Sequence, residues 1–372
     1  MESVRRNPVY GLDVIRLSAA ILVMVYHFGF RAWASSENWL LHSMGRAPSL
    51  PAWSEFAWWG WIGVQIFFVV SGAVIAGSAR RATPAGFVRA RVARLLPALL
   101  ICASFALLVA IGLFREDPIE SALLWLKTIT FIPQGPWLLS QFWTIPIEVS
   151  FYAMVMLLIA LGKARDMEHL AWALGCASAA YWFASSVEAI EAGDRWPALL
   201  LLHHGVYFAL GILAARLGDG TLAPRHLALA ATCVFGAAEQ IATVAAWELN
   251  AATSLWMIPF GVWLAATAAI AASFRWRDAI ARRVKRHAAA LRLAGLTTYP
   301  LYLVHMHAGG PVLVWSEPLG ALPATLLAMG SSLVVAVLIT RFLEPPLYRR
   351  VCDGIDRLSA WHERRGGRAF FR

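Results

Sequence analysis

GLDVIRLSAAILVMVYH, residues Gly11–His27, decides how the rest of the chain is read. It is apolar and helix-forming, long enough with its flanks to cross a bilayer. Yet it carries Asp13 and Arg16 near one end and His27 near the other. Ionisable groups within a membrane are costly, so each marks a candidate functional site. Arg16 and His27 stand eleven residues apart, about three helical turns, so they share a face and lie roughly 16 Å apart along the axis. Asp13 sits one turn before Arg16 on the same side and is placed to pair with it.

The whole composition agrees with a membrane protein. The 372 residues are 59% hydrophobic and 15% charged, with 18 Trp and a mean hydropathy of +0.61. A soluble domain is about one quarter charged. The formal net charge of +10 would suggest nucleic acid in a soluble protein. Here it reads as the Lys/Arg excess that holds cytoplasmic loops in place, and no nucleic-acid partner is expected. The four cysteines, Cys102, Cys176, Cys233 and Cys352, have no metal-ligand or CxxC spacing, so neither a disulfide framework nor a metal site is expected. Arg5, Arg6 and Ala32-Trp33-Ala34 around the first apolar run mimic a secretory signal. The run is too long for one and holds Arg16.

Hydropathy predicts an all-α polytopic bundle of about ten spans: roughly 9–30, 58–79, 93–114, 143–162, 168–188, 197–217, 225–245, 252–274, 294–316 and 320–342. A shorter apolar piece near 121–133, closed by Pro133-Gln134-Gly135-Pro136, reads as re-entrant or interfacial. With both termini cytoplasmic, inner segments hold 26 Lys/Arg and outer loops five, while Arg16 lies within the first span. The opposite orientation would violate the positive-inside rule. Residues 1–345 are expected to form the membrane domain and 346–372 a basic cytoplasmic tail.

Several motifs then line up. Asp13-x-x-Arg16, followed by ten residues and His27, resembles the membrane acyltransferase 3 family. So do GWIGVQIFFVVSG at 60–72, Phe87 with Arg91, Arg94 and Pro97, Trp143-x4-Glu148-x3-Tyr152, TTYPLYLVH at 297–305, and Glu344-Pro345. Pro300 stands where that family often has Ser. The resemblance is concentrated in the first 152 residues and at 299–305 and 344–345; residues 160–290 match only as hydrophobic spans. It implies a multi-pass enzyme of the bacterial inner membrane that moves an acyl group, most often acetyl, from cytoplasmic acyl-CoA. The acceptor would be a hydroxyl on a surface glycan, a lipid-linked saccharide or a small molecule.

The residues carry roles that fit. His27 is the side chain best suited to exchange a proton near neutrality, and a structural interface histidine is its bland alternative. Glu148, one and a half turns below the outer surface, is expected at the depth of His27, either orienting the imidazole or pairing with another buried polar group. Arg91 and Arg94 lie one turn apart at the inner end of their span. Their planar guanidinium forks suit the phosphates of acyl-CoA, against the alternative of anchoring anionic lipid. Arg80 and Arg81 read as lipid anchors. Arg16 would meet the donor deeper in the bundle.

Ser71 reads mainly as packing plus a substrate hydrogen bond, since no His-based activation lies near its depth to make it a nucleophile. Gly60, Gly63 and Gly72 around it permit close helix approach. Tyr152, Tyr302 and Asp13 are candidate substrate or pore-lining groups, while His305 divides evenly between packing and pore lining. Trp137 and Trp143 flank the outer mouth as candidates to stack on a sugar ring of the substrate, against the aromatic belt that is expected there in any case. A transporter of a saccharide or small anionic metabolite is the alternative function. It should show paired broken helices in two repeated halves, and no such symmetry is evident.

Overall fold

The computed structural model describes residues 7–34, 50–80, 82–164, 166–188, 195–250 and 253–364, the side chains only to 358. Arg81 lies outside the described residues, as does the end of the basic tail. Among the described residues every regular element is helical, and seven helices are long and apolar enough to cross a membrane. The chain is an all-α, multi-pass membrane protein. The seven are Tyr10–Ala34, Ala52–Ala79, Pro84–Gly112, Ser140–Ala160, Arg225–Leu249, Ser254–Arg275 and a helix beginning at Ala321. The other three predicted spans are also helical, but the one expected at 197–217 is broken. A short helix Arg195–Leu199 is followed by a turn, in which Leu201 has φ +63°, and only then by Gly205–Gly218.

Among the described residues the α-helices of eight residues or more are numbered here in chain order: α1 Tyr10–Tyr26, α2 Gly63–Ala79, α3 Pro84–Gly112, α4 Pro118–Ile129, α5 Thr144–Ala160, α6 Met167–Ser186, α7 Gly205–Gly218, α8 Arg225–Leu249, α9 Met257–Arg275, α10 Arg277–Val284, α11 Ala288–Ser316, α12 Ala321–Leu338 and α13 Glu344–Arg364. They form two compact units. One comprises residues 1–19, 62–78 and 165–296, the other 20–61, 79–164 and 297–372.

The first unit is held by small residues at close helix approaches, as membrane helices require. A methyl group on Gly72 of α2 would strike the backbone of Phe208 in α7, and one on Gly211 of α7 would strike the Val69 carbonyl. Gly175 of α6 leaves room for Cys233 and Leu229 of α8. Tyr207 donates to Gln240 Oε1 at 2.5 Å and meets Trp263 edge-on. At one end of the unit Glu168 gathers Arg225 at 2.7 Å, Arg216 at 3.0 Å and His226 at 3.1 Å, tying α6, α7 and α8 together.

The second unit starts its helices with local signals. Thr83 caps α3, accepting from Gly86 N at 3.1 Å, with Pro84 at the first turn. Asp117 caps α4, accepting from Ile119 N at 3.0 Å and Glu120 N at 2.8 Å. This 12-residue helix is the segment expected to be re-entrant or interfacial. It is amphipathic, exposing Ile119, Leu123 and Leu126 while burying Ser121 and Thr128. Beyond α12 the chain passes through a π turn, Ile339–Leu343, into α13. There Asp356 accepts two hydrogen bonds of 2.8 Å from Arg89, joining α13 to α3.

Candidate active site

His27 stands where α1 changes its winding. Residues His27–Arg31 form a π-helical turn, closed by the Ala32 N–H donating back to the His27 carbonyl. Such single-turn widenings recur at functional sites. The turn is braced from outside. The Phe28 carbonyl accepts from Trp33 Nε1 at 2.8 Å and from Thr325 Oγ1 of α12 at 3.0 Å. Gly29 lies under the Trp53 ring, and Gly309 of α11 leaves the space that Phe28 fills.

The ring of His27 is half-buried, and its partner is His305 of α11. His27 Nδ1 lies 2.8 Å from His305 Nε2, with ring centroids 4.9 Å apart. His305 is wholly enclosed at 0% exposure, its other nitrogen on the carbonyls of Tyr302 at 2.9 Å and Leu301 at 3.2 Å. Its own carbonyl accepts from Ser332 of α12 at 3.1 Å. One turn back along α11, the Tyr302 hydroxyl bonds the Gln141 carbonyl and Thr144 Oγ1, each at 3.1 Å. Gln141 Nε2 donates to the Leu303 carbonyl. The start of α5 is thereby fastened to the middle of α11.

Glu148 belongs to a second cluster. It accepts the Tyr152 hydroxyl at 2.5 Å. Arg91 lies over the rings of Phe87 and Tyr152, 5.2 and 5.7 Å from their centroids, and Arg94 lies 5.7 Å over Tyr299. Such stacking suits guanidinium groups, whose faces are weakly hydrated.

The depth expected for Glu148 differs from what these contacts give. Thr144 meets Tyr302, so Glu148, four residues along α5, falls roughly 6 Å to one side of that level. His305, three residues along the antiparallel α11, falls about 4.5 Å to the other. His27 therefore pairs with His305, and Glu148 with the tyrosine–arginine cluster about two turns away.

Three other expected residues lie in the first unit. Asp13 is 3% exposed and bridges Arg16 and Arg292, each at 3.9 Å. Gly295 of α11 makes room for that carboxylate. Ser71 is buried in α2 beside the Gly72–Phe208 contact. Trp143, in the second unit, ends the 3-10 turn that leads into α5 and is half-buried.

Sequence reasoning missed Gln141, Thr144 and Arg292. The first two are polar residues in the first turn of an apolar span, which is a readable signal. Arg292 was one cation among seven at 275–292, and nothing in its neighbourhood singled it out.

The acyltransferase 3 family model, described as an acyltransferase domain, matches residues 9–341. Comparison with curated proteins and with solved structures finds no match.

Proposed function

This chain belongs to the acyltransferase 3 family, and from that premise we propose that this membrane acyltransferase moves an acyl group, acetyl in the first instance, from acyl-CoA to a hydroxyl. The acceptor is a surface glycan, a lipid-linked saccharide or a similar molecule, and the membrane is the bacterial inner membrane. Donor enters from the cytoplasm and acceptor from the outer side. The observation that carries the reading is the half-buried His27 paired at 2.8 Å with His305 where the first membrane helix widens into its π turn.

His27 acts as the general base. The acceptor O–H bond breaks as its proton passes to the ring, and the oxygen attacks the thioester carbonyl carbon. The C–S bond then breaks, and the CoA thiolate leaves with the proton from the imidazolium. The Arg91 and Arg94 guanidinium groups hold the donor's phosphates, and the aromatic rings beneath them fix their forks for bidentate contact. Glu148 and Tyr152 position that pair. Arg16, on the helix that carries His27, meets the donor along its path.

Purified protein in detergent, given acetyl-CoA and a panel of saccharides, should release free CoA in step with acyl-saccharide formation. His27→Ala should lower turnover by about 10²–10⁴-fold while donor still binds. Near-normal transfer by that variant would end this mechanism.

A further inference from the structure

We infer that His305 is a positioning residue that fixes the tautomer of His27, leaving Nε2 as the unprotonated, basic nitrogen of the His27 ring. The inference rests on the base role proposed above and specifies the atom that performs it.

The assignment starts at the backbone. His305 Nδ1 faces two carbonyl oxygens, of Tyr302 at 2.9 Å and Leu301 at 3.2 Å. A carbonyl oxygen only accepts, so His305 Nδ1 carries a proton. A neutral imidazole has a single N–H, so His305 Nε2 offers a lone pair. That lone pair meets His27 Nδ1 at 2.8 Å. His27 Nδ1 is therefore the donor, and Nε2 is left bare.

The resting pair is uncharged because an enclosed charge without a counter-ion is expensive. The His305 ring is wholly enclosed, with the edge of Phe28 at 5.9 Å between centroids and Tyr302 at 6.3 Å. The two anchoring carbonyls belong to the preceding turn of α11 itself, so the anchor is as rigid as that helix. Ser332 of α12 bonds the His305 carbonyl and holds the backbone in place. A histidine whose far nitrogen is fixed by a backbone carbonyl transmits a defined proton position to its neighbour, as partners of metal-bound histidines do. When His27 Nε2 takes the acceptor's proton, Nδ1–H keeps donating to His305, and the new charge has a bonded neighbour at once.

The test reads the proton directly. Full-length protein labelled with ¹⁵N-histidine in lipid nanodiscs is compared with His27→Ala to assign the His27 ring nitrogens. The expected wild-type ring carries its proton on Nδ1. A ring protonated on Nε2 in the wild type overturns the inference whatever the activity. His305→Leu should shift the His27 proton away from Nδ1 and lower kcat by about 10²–10³-fold, within the range of general-base losses. The donor KM should hold steady. His305→Gln keeps an acceptor oxygen near the place of Nε2 and should recover kcat to within about tenfold of wild type. Equal losses in Leu and Gln variants, with the tautomer unmoved in both, would reduce His305 to packing. The two failures separate: an active His27→Ala protein sinks the base role, and an Nε2–H ring in wild type sinks the tautomer.

Discussion

Thr144 Oγ1 and Tyr302 Oη lie 3.1 Å apart, and this contact sets the register between α5 and α11. Everything chemical in the second unit is counted from it: His305 one turn to one side, Glu148 one turn to the other. The contact should be worth about 0.5–1.5 kcal/mol. Thr144→Val and Tyr302→Phe should each lower the thermal midpoint in detergent. Because they remove the same bond, the double variant should lose less than the sum. Strict additivity would show that the bond contributes nothing.

His27→Ala and Glu148→Gln should act on different steps. His27 sits with His305, and Glu148 with Tyr152 and the arginine cluster. The first should depress kcat with donor affinity kept. The second should raise the donor KM, and the double variant should show the product of the two losses. A double variant no worse than His27→Ala would instead tie Glu148 to the imidazole.

Arg91 and Arg94 changed together to Ala should weaken acyl-CoA binding, each lost charge-assisted bond costing about 1.5–3 kcal/mol. Isothermal titration in detergent measures it. Unchanged affinity, with the protein still inserted, would return the pair to lipid anchoring.

Two glycines of α2 offer a matched comparison. A methyl on Gly72 would meet Phe208 backbone, whereas one on Gly77 meets nothing within 4 Å. Gly72→Ala should destabilise by about 1–3 kcal/mol. Gly77→Ala should be neutral or stabilise by about 0.4–1 kcal/mol. Unfolding midpoints of the two variants decide; equal effects would remove the close approach from the account.

The orientation rests on the distribution of Lys and Arg. Reporter fusions after Trp53 should read outside, and fusions after Asp219 and Arg286 inside. A fusion after Arg286 that reads outside would overturn the span count and the donor side together.

Much of this was legible in the chain itself. Seven of the predicted spans appear as long apolar helices because hydropathy measures the property that a bilayer selects. The spacing of Asp13, Arg16 and His27 was readable because a helix converts sequence distance into face and height. The pairing of His27 with His305 was not, since 278 residues separate them and only packing decides which turn meets which. The same gap misplaced Glu148. Its depth was counted from a membrane surface known only to within several residues, and each residue is about 1.5 Å. The break before Gly205 was hidden by the apolar run 198–202, although Pro197 before it and His203, His204 and Gly205 after it interrupt the pattern.

The π turn at His27–Arg31 also separates two parts of the first span. Each extra residue in a helical turn rotates the chain beyond it by about 100°. Up to Tyr26 the winding is regular, so the phase linking Arg16 to His27 is set entirely on the N-terminal side of the turn. Phe28 to Arg31 absorb the added residue on the C-terminal side. The turn thus works as a phase buffer: the segment beyond it can be lengthened, shortened or re-aimed without rotating the imidazole out of line with the arginine three turns before it.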